Sequence, residues 1–158
     1  MSTYYLDASA LVKLYVAETG SAWLQSITIP ETGHLLLTSR ITLVAVASAI
    51  ARRRREGYLS LPDYADALQA LRYDALTRYS LIEVSTEVSA LAMDLVDRHP
   101  LRAYDALQLA SALLANQALR LTALSPLTFL SADNRLVSAA RAEGLIADNP
   151  NLHLGEPQ

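Results

Sequence analysis

The sequence predicts an α/β fold, a three-layer α/β/α sandwich around a central parallel sheet. Three observations carry this prediction. Short β-prone runs recur at 3–6, 35–38, 81–84 and 127–130, each separated from the next by one or two helical segments. Connections of that kind join parallel strands, because antiparallel neighbours need only a tight turn. The runs are also apolar at consecutive positions, as in Leu35-Leu36-Leu37 and Phe129-Leu130, which suits a sheet covered on both faces.

The elements follow in order. The run 3–6 stops at Asp7-Ala8-Ser9, and 10–16 reads as a helix. Gly20-Ser21 opens a second short helix through 27, and 35–38 is a buried strand. Residues 41–51 are apolar on every side, which predicts a helix buried all round. Its last turn is Arg52-Arg53-Arg54-Arg55, closed by Gly57 as a C-terminal cap. The segment 62–79 is amphipathic, with Tyr64, Leu68, Leu71, Ala75 and Tyr79 on one stripe. A strand at 81–84 and a helix over 87–98 follow, ended by His99-Pro100. Then come an apolar helix over 102–118, the strand 127–130, a helix over 134–143 capped by Gly144, and a final short strand at 145–147.

Composition bounds the function. A chain of 158 residues with 52% hydrophobic and 18% charged residues buries a real core, so it reads as one domain over 1–158. The balance of 13 basic against 16 acidic residues gives a net charge of −3, which excludes a general basic coat for nucleic acid. The basic residues include one lysine, Lys13; the rest are arginines. Without cysteine there is no disulfide scaffold, thiol nucleophile or Cys-based zinc site. No run approaches the ~20 apolar residues of a membrane span, and the N-terminal segment lacks a basic stretch, so a cytoplasmic location with no membrane partner is expected.

Three aspartates are candidates for chemistry. Asp7 directly follows the first strand, Asp133 follows the strand 127–130 closely, and Asp105 opens the helix over 102–118. Singly, each is an ordinary N-cap or first-turn residue. Together they differ, because topology brings at least two to the carboxyl edge of the sheet, where ligands bind in such folds. Clustered carboxylates repel unless a cation neutralises them, and an all-oxygen cluster suits Mg2+ or Mn2+. Rival chemistries lack their residues. His34, His99 and His153 are scattered, and neither a glycine-rich phosphate loop nor a Gly-x-Ser-x-Gly elbow is present. A haloacid-dehalogenase-type phosphatase would need an aspartate where Ser9 stands. The arginine run 52–55 reads as a solvated helix end or as a phosphate contact.

The segments Tyr4-Tyr5-Leu6-Asp7-Ala8-Ser9-Ala10-Leu11-Val12-Lys13, Leu101-Arg102-Ala103-Tyr104-Asp105-Ala106-Leu107-Gln108 and Phe129-Leu130-Ser131-Ala132-Asp133-Asn134-Arg135-Leu136 give the chain a resemblance. In order and separation they resemble the PIN-domain family, and within it the VapC-type toxins of bacterial toxin–antitoxin pairs. The resemblance implies a PIN-like α/β/α endoribonuclease that uses Mg2+ or Mn2+. It implies Asp7, Asp105 and Asp133 as metal-binding and catalytic acids, with Ser9 and Asn134 as supporting hydrogen-bonding residues. It also implies a small antitoxin as partner, an RNA substrate and a homodimer.

One position departs from the pattern. The family usually carries a glutamate on the helix after the second strand, and the matching residue here is Ala45. The resemblance therefore implies impaired activity, or a PIN module that binds RNA or antitoxin without cutting. A deliberate replacement and a natural loss both account for Ala45. Its position early in the helix predicts that its Cβ shares a pocket with Asp7 and Asp105.

Overall fold

A computed structural model describes residues 1–154; positions 155–158 of the domain expected over 1–158 lie outside the described residues. Its strands are β1 (Thr3–Leu6), β2 (Leu35–Ser39), β3 (Tyr79–Ile82), β4 (Thr128–Leu130) and β5 (Ile146–Asp148). They pair in parallel in the order β3-β2-β1-β4-β5. The helices are α1 (Ala8–Leu11), extended by a 3-10 turn at Val12–Leu14, α2 (Ser21–Thr28), α3 (Arg40–Arg55), α4 (Leu61–Thr77), α5 (Thr86–Arg98), α6 (Ala103–Leu121) and α7 (Asn134–Ala142). Among the described residues no helix is long and apolar enough to cross a membrane.

Side chains alternate across the sheet and build two cores. Tyr5, Leu37 and Phe129 pack against α5, α6 and α7. Leu6, Leu36 and Leu130 pack against α1, α3 and α4. Consecutive apolar residues thus serve opposite faces, which is the three-layer arrangement. The strand order reverses direction between β1 and β4. In open parallel sheets that reversal leaves a crevice at the strands' carboxyl ends. Asp7 ends β1 there, its N–H donating to the Leu130 carbonyl of β4 at 3.1 Å.

Four expectations change in detail. The helix expected over 10–16 starts earlier and tightens to a 3-10 turn, because Asp7 caps it by accepting from the Ala10 N–H at 2.9 Å. The helix expected to reach 79 ends at Thr77, and β3 begins at Tyr79, two residues before the expected strand. Tyr79 fits the helical stripe by spacing, but it pairs with Leu36 and hydrogen-bonds the Tyr15 hydroxyl. The apolar helix expected over 102–118 runs on to Leu121. The helix expected to be buried all round is α3, and it is not. It buries Thr42, Val46 and Ile50, while Val44 is 71% exposed.

Candidate active site

Asp7 lies buried at the carboxyl end of β1 and lines neither the groove that holds Asp105 and Asp133 nor the cleft that holds Ser9 and Ala45. It is 4% exposed, and both carboxylate oxygens are engaged. Ser9 Oγ donates to Oδ1 at 2.7 Å, beside the Ala10 N–H, and Ser131 Oγ donates to Oδ2 at 2.6 Å. The serines are themselves fixed by the backbone of the β4–α7 turn. Ser9 Oγ accepts from the Ala132 N–H at 2.8 Å, and Ser131 Oγ accepts from the Asp133 N–H at 3.1 Å. Burial pushes the Asp7 carboxyl up from 3.8 to about 6; the hydroxyl and amide donors pull against burial, and the nearby Asp105 adds to the rise.

Asp105 stands in the first turn of α6, half-buried. Its carboxyl is also raised, first by burial and then by Asp133, with Arg102 opposing. Asp133 caps α7 by accepting from the Arg135 N–H at 2.9 Å. Asp105 and Asp133 share a groove of about 420 Å³ with Tyr104, Arg102 and Arg135. The acids thus form a repelling series, Asp7 to Asp105 to Asp133, flanked by two arginines. Among the described residues no three His, Cys, Asp or Glu side chains stand close enough as they are to hold a metal ion. Asp7 and Asp133 each commit an oxygen to capping a helix. The donor chemistry still fits a hard divalent ion, since every candidate atom is a carboxylate or hydroxyl oxygen.

Residues 4–142 match the family model described as PIN domain. Two proteins of Mycobacterium tuberculosis, Ribonuclease VapC45 of strain CDC 1551 / Oshkosh and Ribonuclease VapC49 of strain ATCC 25618 / H37Rv, are each 36% identical to this chain. The match covers 114 residues, 72% of this chain and 76% of theirs. The chain belongs to the PIN-domain family, in its VapC branch. Solved structures agree on the fold. FitAcB from Neisseria gonorrhoeae superposes with a TM-score of 0.65 at 19% identity, over 96% of this chain and 99% of that one. VapBC2 from Rickettsia felis, bound to a DNA fragment from its promoter, superposes with a TM-score of 0.61 at 15% identity, over 93% of this chain and 98% of that one.

In this PIN domain the remaining expected site residues are placed as follows. Ser9 supports Asp7 directly. Asn134 Oδ1 turns to the Asn149 Nδ2 at 2.8 Å, so it braces the turn after β5. Ala45 is half-exposed in a cleft with Ala8 and Ser9, whereas Asp105 and Asp133 line the other groove. The bodies of α3 and α6 pack on opposite faces of the sheet, and the two helices meet at its edge through Thr42 and Gln108.

Sequence reading passed over several residues. Ser131 matters most, because it ties Asp7 to the Asp133 backbone. The signal for it was its place directly after β4, equivalent to that of Asp7 after β1. Gln108 is fully buried beneath the site. It accepts from the Tyr5 hydroxyl at 2.7 Å and donates to Thr42 Oγ1 and the Tyr104 hydroxyl, each at 2.7 Å. This network links α6 to α3 at the sheet edge. Its polar residues sit where a core helix would otherwise carry apolar ones, and that is the signal the sequence offered.

Two predictions arise from this geometry. Ser131→Ala removes a buried donor and leaves Asp7 Oδ2 and the Asp133 N–H unpaired. It should lower stability by about 1–3 kcal/mol, read from urea denaturation. The second concerns pH. The folded-state carboxyl of Asp7 is raised above its unfolded value, so the folded protein binds the extra proton. Its contribution is therefore fully present below about pH 4 and is lost as pH rises through about 6. The loss is about 3 kcal/mol, from ~1.4 kcal/mol per unit. Urea midpoints in chelator should fall over that window for the unchanged protein. Asp7→Asn, which does not titrate, should lack this component.

Proposed function

We propose that this chain is a Mg2+- or Mn2+-dependent endoribonuclease toxin of a toxin–antitoxin pair, impaired as it stands by Ala45. The observation that supports it is the buried Asp7 carboxylate. It sits at the switch point of the sheet, clamped by Ser9 and Ser131 and electrostatically coupled to Asp105. Keeping an ionisable group there costs stability at neutral pH, a cost that a bound cation would offset. The names of the two mycobacterial relatives, both ribonucleases, support the same reaction class.

Asp7 and Asp105 would hold the main ion, and Asp133 would complete the set. When bound, such an ion supplies charge neutralisation and a more acidic water. The chain's own groups do the rest. Ser9 and Ser131 fix the orientation of Asp7 through its two carboxylate oxygens. Arg102 and Arg135 flank the acids in the groove and suit phosphate oxygens on either side of the reacting bond. Asp133, half-exposed, would help orient the attacking water. A small antitoxin, an RNA substrate and a second copy of the chain are the partners of this reading.

A second reading is favoured by Ala45 itself: a module that holds RNA or antitoxin without cleaving. The test is to assay Ala45→Glu on total cellular RNA with Mg2+ or Mn2+, beside the same protein carrying Asp105→Asn. Cleavage by the first and none by the second supports the nuclease. A folded, metal-binding Ala45→Glu protein that cuts nothing supports the module.

A further inference from the structure

The segment after β5 runs from one end of the sheet's carboxyl edge to α2. Asp148 ends β5 beside Leu130 of β4, and its carbonyl accepts from the Ser131 N–H at 3.2 Å. Asn149 follows, 3% exposed. A 3-10 turn at Pro150–Leu152 then brings the chain against α2. Gly20 receives it there. At φ +85, a Cβ on Gly20 would stand 2.5 Å from the Pro150 carbonyl oxygen, so only glycine admits this approach. Beyond the turn His153 stacks on Trp23, with ring centroids 3.8 Å apart and planes 7° from parallel. His153 Nε2 also lies 2.7 Å from Asp148 Oδ2. The strap 148–153 is thus clasped to α2 at its far end and closed on its own start.

Asn149 is the residue that this strap holds against the β4–α7 turn. Its Oδ1 accepts from the Asn151 N–H at 2.8 Å, and its own N–H donates to Asp148 Oδ1 at 2.8 Å. Those bonds fix the side chain within the strap and leave Nδ2 for the turn. Nδ2 donates to Asn134 Oδ1 at 2.8 Å and to the Ala132 carbonyl at 3.4 Å. The two acceptors are the residues on either side of Asp133. The Asp7 cluster holds the same turn from the other direction, through Ser9 Oγ to the Ala132 N–H and Ser131 Oγ to the Asp133 N–H. Asp133 itself has extended backbone, and it both caps α7 and lines the groove of Asp105.

We infer that Asn149 is the positioning residue of Asp133, delivered to the β4–α7 turn by a strap that Trp23 and His153 clasp to α2. The inference rests on the nuclease reading, in which Asp133 completes the metal-binding acids, and adds the group that sets where that acid stands. A strap that merely covered the edge strand β5 would be served by an apolar side chain at 149. It would not need a buried amide, which must find its hydrogen bonds inside the protein. Here those bonds fall on both neighbours of one acid. Groups that orient a ligand residue change metal affinity about 10- to 100-fold without touching the ion.

The experiment follows backbone amide exchange by NMR in the full chain without metal, and then Mn2+ affinity from the electron-spin signal of the free ion. Asn149→Ala should speed exchange of the Asp133 and Arg135 amides about tenfold, the scale of one lost hydrogen bond. The Ala10 amide, bonded to Asp7 Oδ1, should keep its rate. Mn2+ binding should weaken about tenfold. His153→Ala should give the same pattern at smaller amplitude, and His153→Phe, which keeps a ring on Trp23, should return the unchanged rates. The His153 side chain is 34% exposed, so these two variants test the strap even where Asn149→Ala fails to fold. Exchange that rises uniformly, Ala10 included, makes Asn149 a structural residue and overturns the inference. Unchanged rates at Asp133 and Arg135, or Mn2+ affinity that Asn149→Ala leaves as it was, overturn it too. If neither protein binds Mn2+, the nuclease reading loses its ion, and the exchange pattern alone decides for or against Asn149.

Discussion

Ala45→Glu is expected to raise metal-dependent RNA cleavage about 100-fold, the scale on which small errors in placing reacting groups act. Position 45 lines the cleft wall facing Ser9, and Ser9 Oγ is bonded to Asp7 Oδ1. A glutamate there would add a carboxylate to the cleft beside Ser9, on the Asp7 side of the sheet edge. The helix should accept it. Alanine and glutamate have close helix propensities, and residue 45 is half-exposed, so no core volume changes. The added charge should repel Asp7 in chelator and slightly lower the unfolding temperature. Mg2+ or Mn2+ should reverse that loss by more than it stabilises the unchanged protein, since the ion binds only the folded state. Gel analysis of total RNA and a thermal melt with and without metal read both effects. Asp105→Asn in the same background should erase the gain. The double variant keeps Asp7 with all its hydrogen bonds, so a loss of activity would not reflect misfolding.

The sequence showed Asp7 plainly, because an aspartate ending an apolar strand marks the carboxyl edge of a sheet. It could not show the strand order, and the crevice exists only where β1 and β4 are neighbours. Ser131 was hidden for that reason: its bond to Asp7 spans 124 positions, and locally it reads as a turn residue. The strand at Tyr79 was misread because an aromatic residue four positions after Ala75 continues a helical stripe equally well. Pairing with β2, a tertiary event, decided it. The run over 41–51 shows the same limit differently. Apolar residues on all sides predict burial, but burial by this chain and burial by another surface leave one pattern. Val44 is the residue that separates the two, and only packing reveals it.

Leu76→Asp is therefore expected to convert a two-fold dimer into a monomer. Outside the sheet, α3 and α4 pack together and leave an apolar groove of about 770 Å³ between them. Leu76 is 88%, Val44 71% and Tyr73 65% exposed on these two helices, a concentration of apolar area that an isolated chain keeps in water at a cost. A second copy of the same face would cover it in the homodimer that the family resemblance implies. In a two-fold contact each substitution acts twice. Losing ~1.5–3 kcal/mol of leucine burial on each side weakens association by about two to four decades. Burial of the new carboxylate adds to that. Light scattering at micromolar concentration should show a dimer for the unchanged protein and a monomer for Leu76→Asp. Met93→Asp, at an exposed position on α5 across the sheet, should stay dimeric. A monomeric unchanged protein, or dissociation by Met93→Asp alone, would place this face outside the dimer contact.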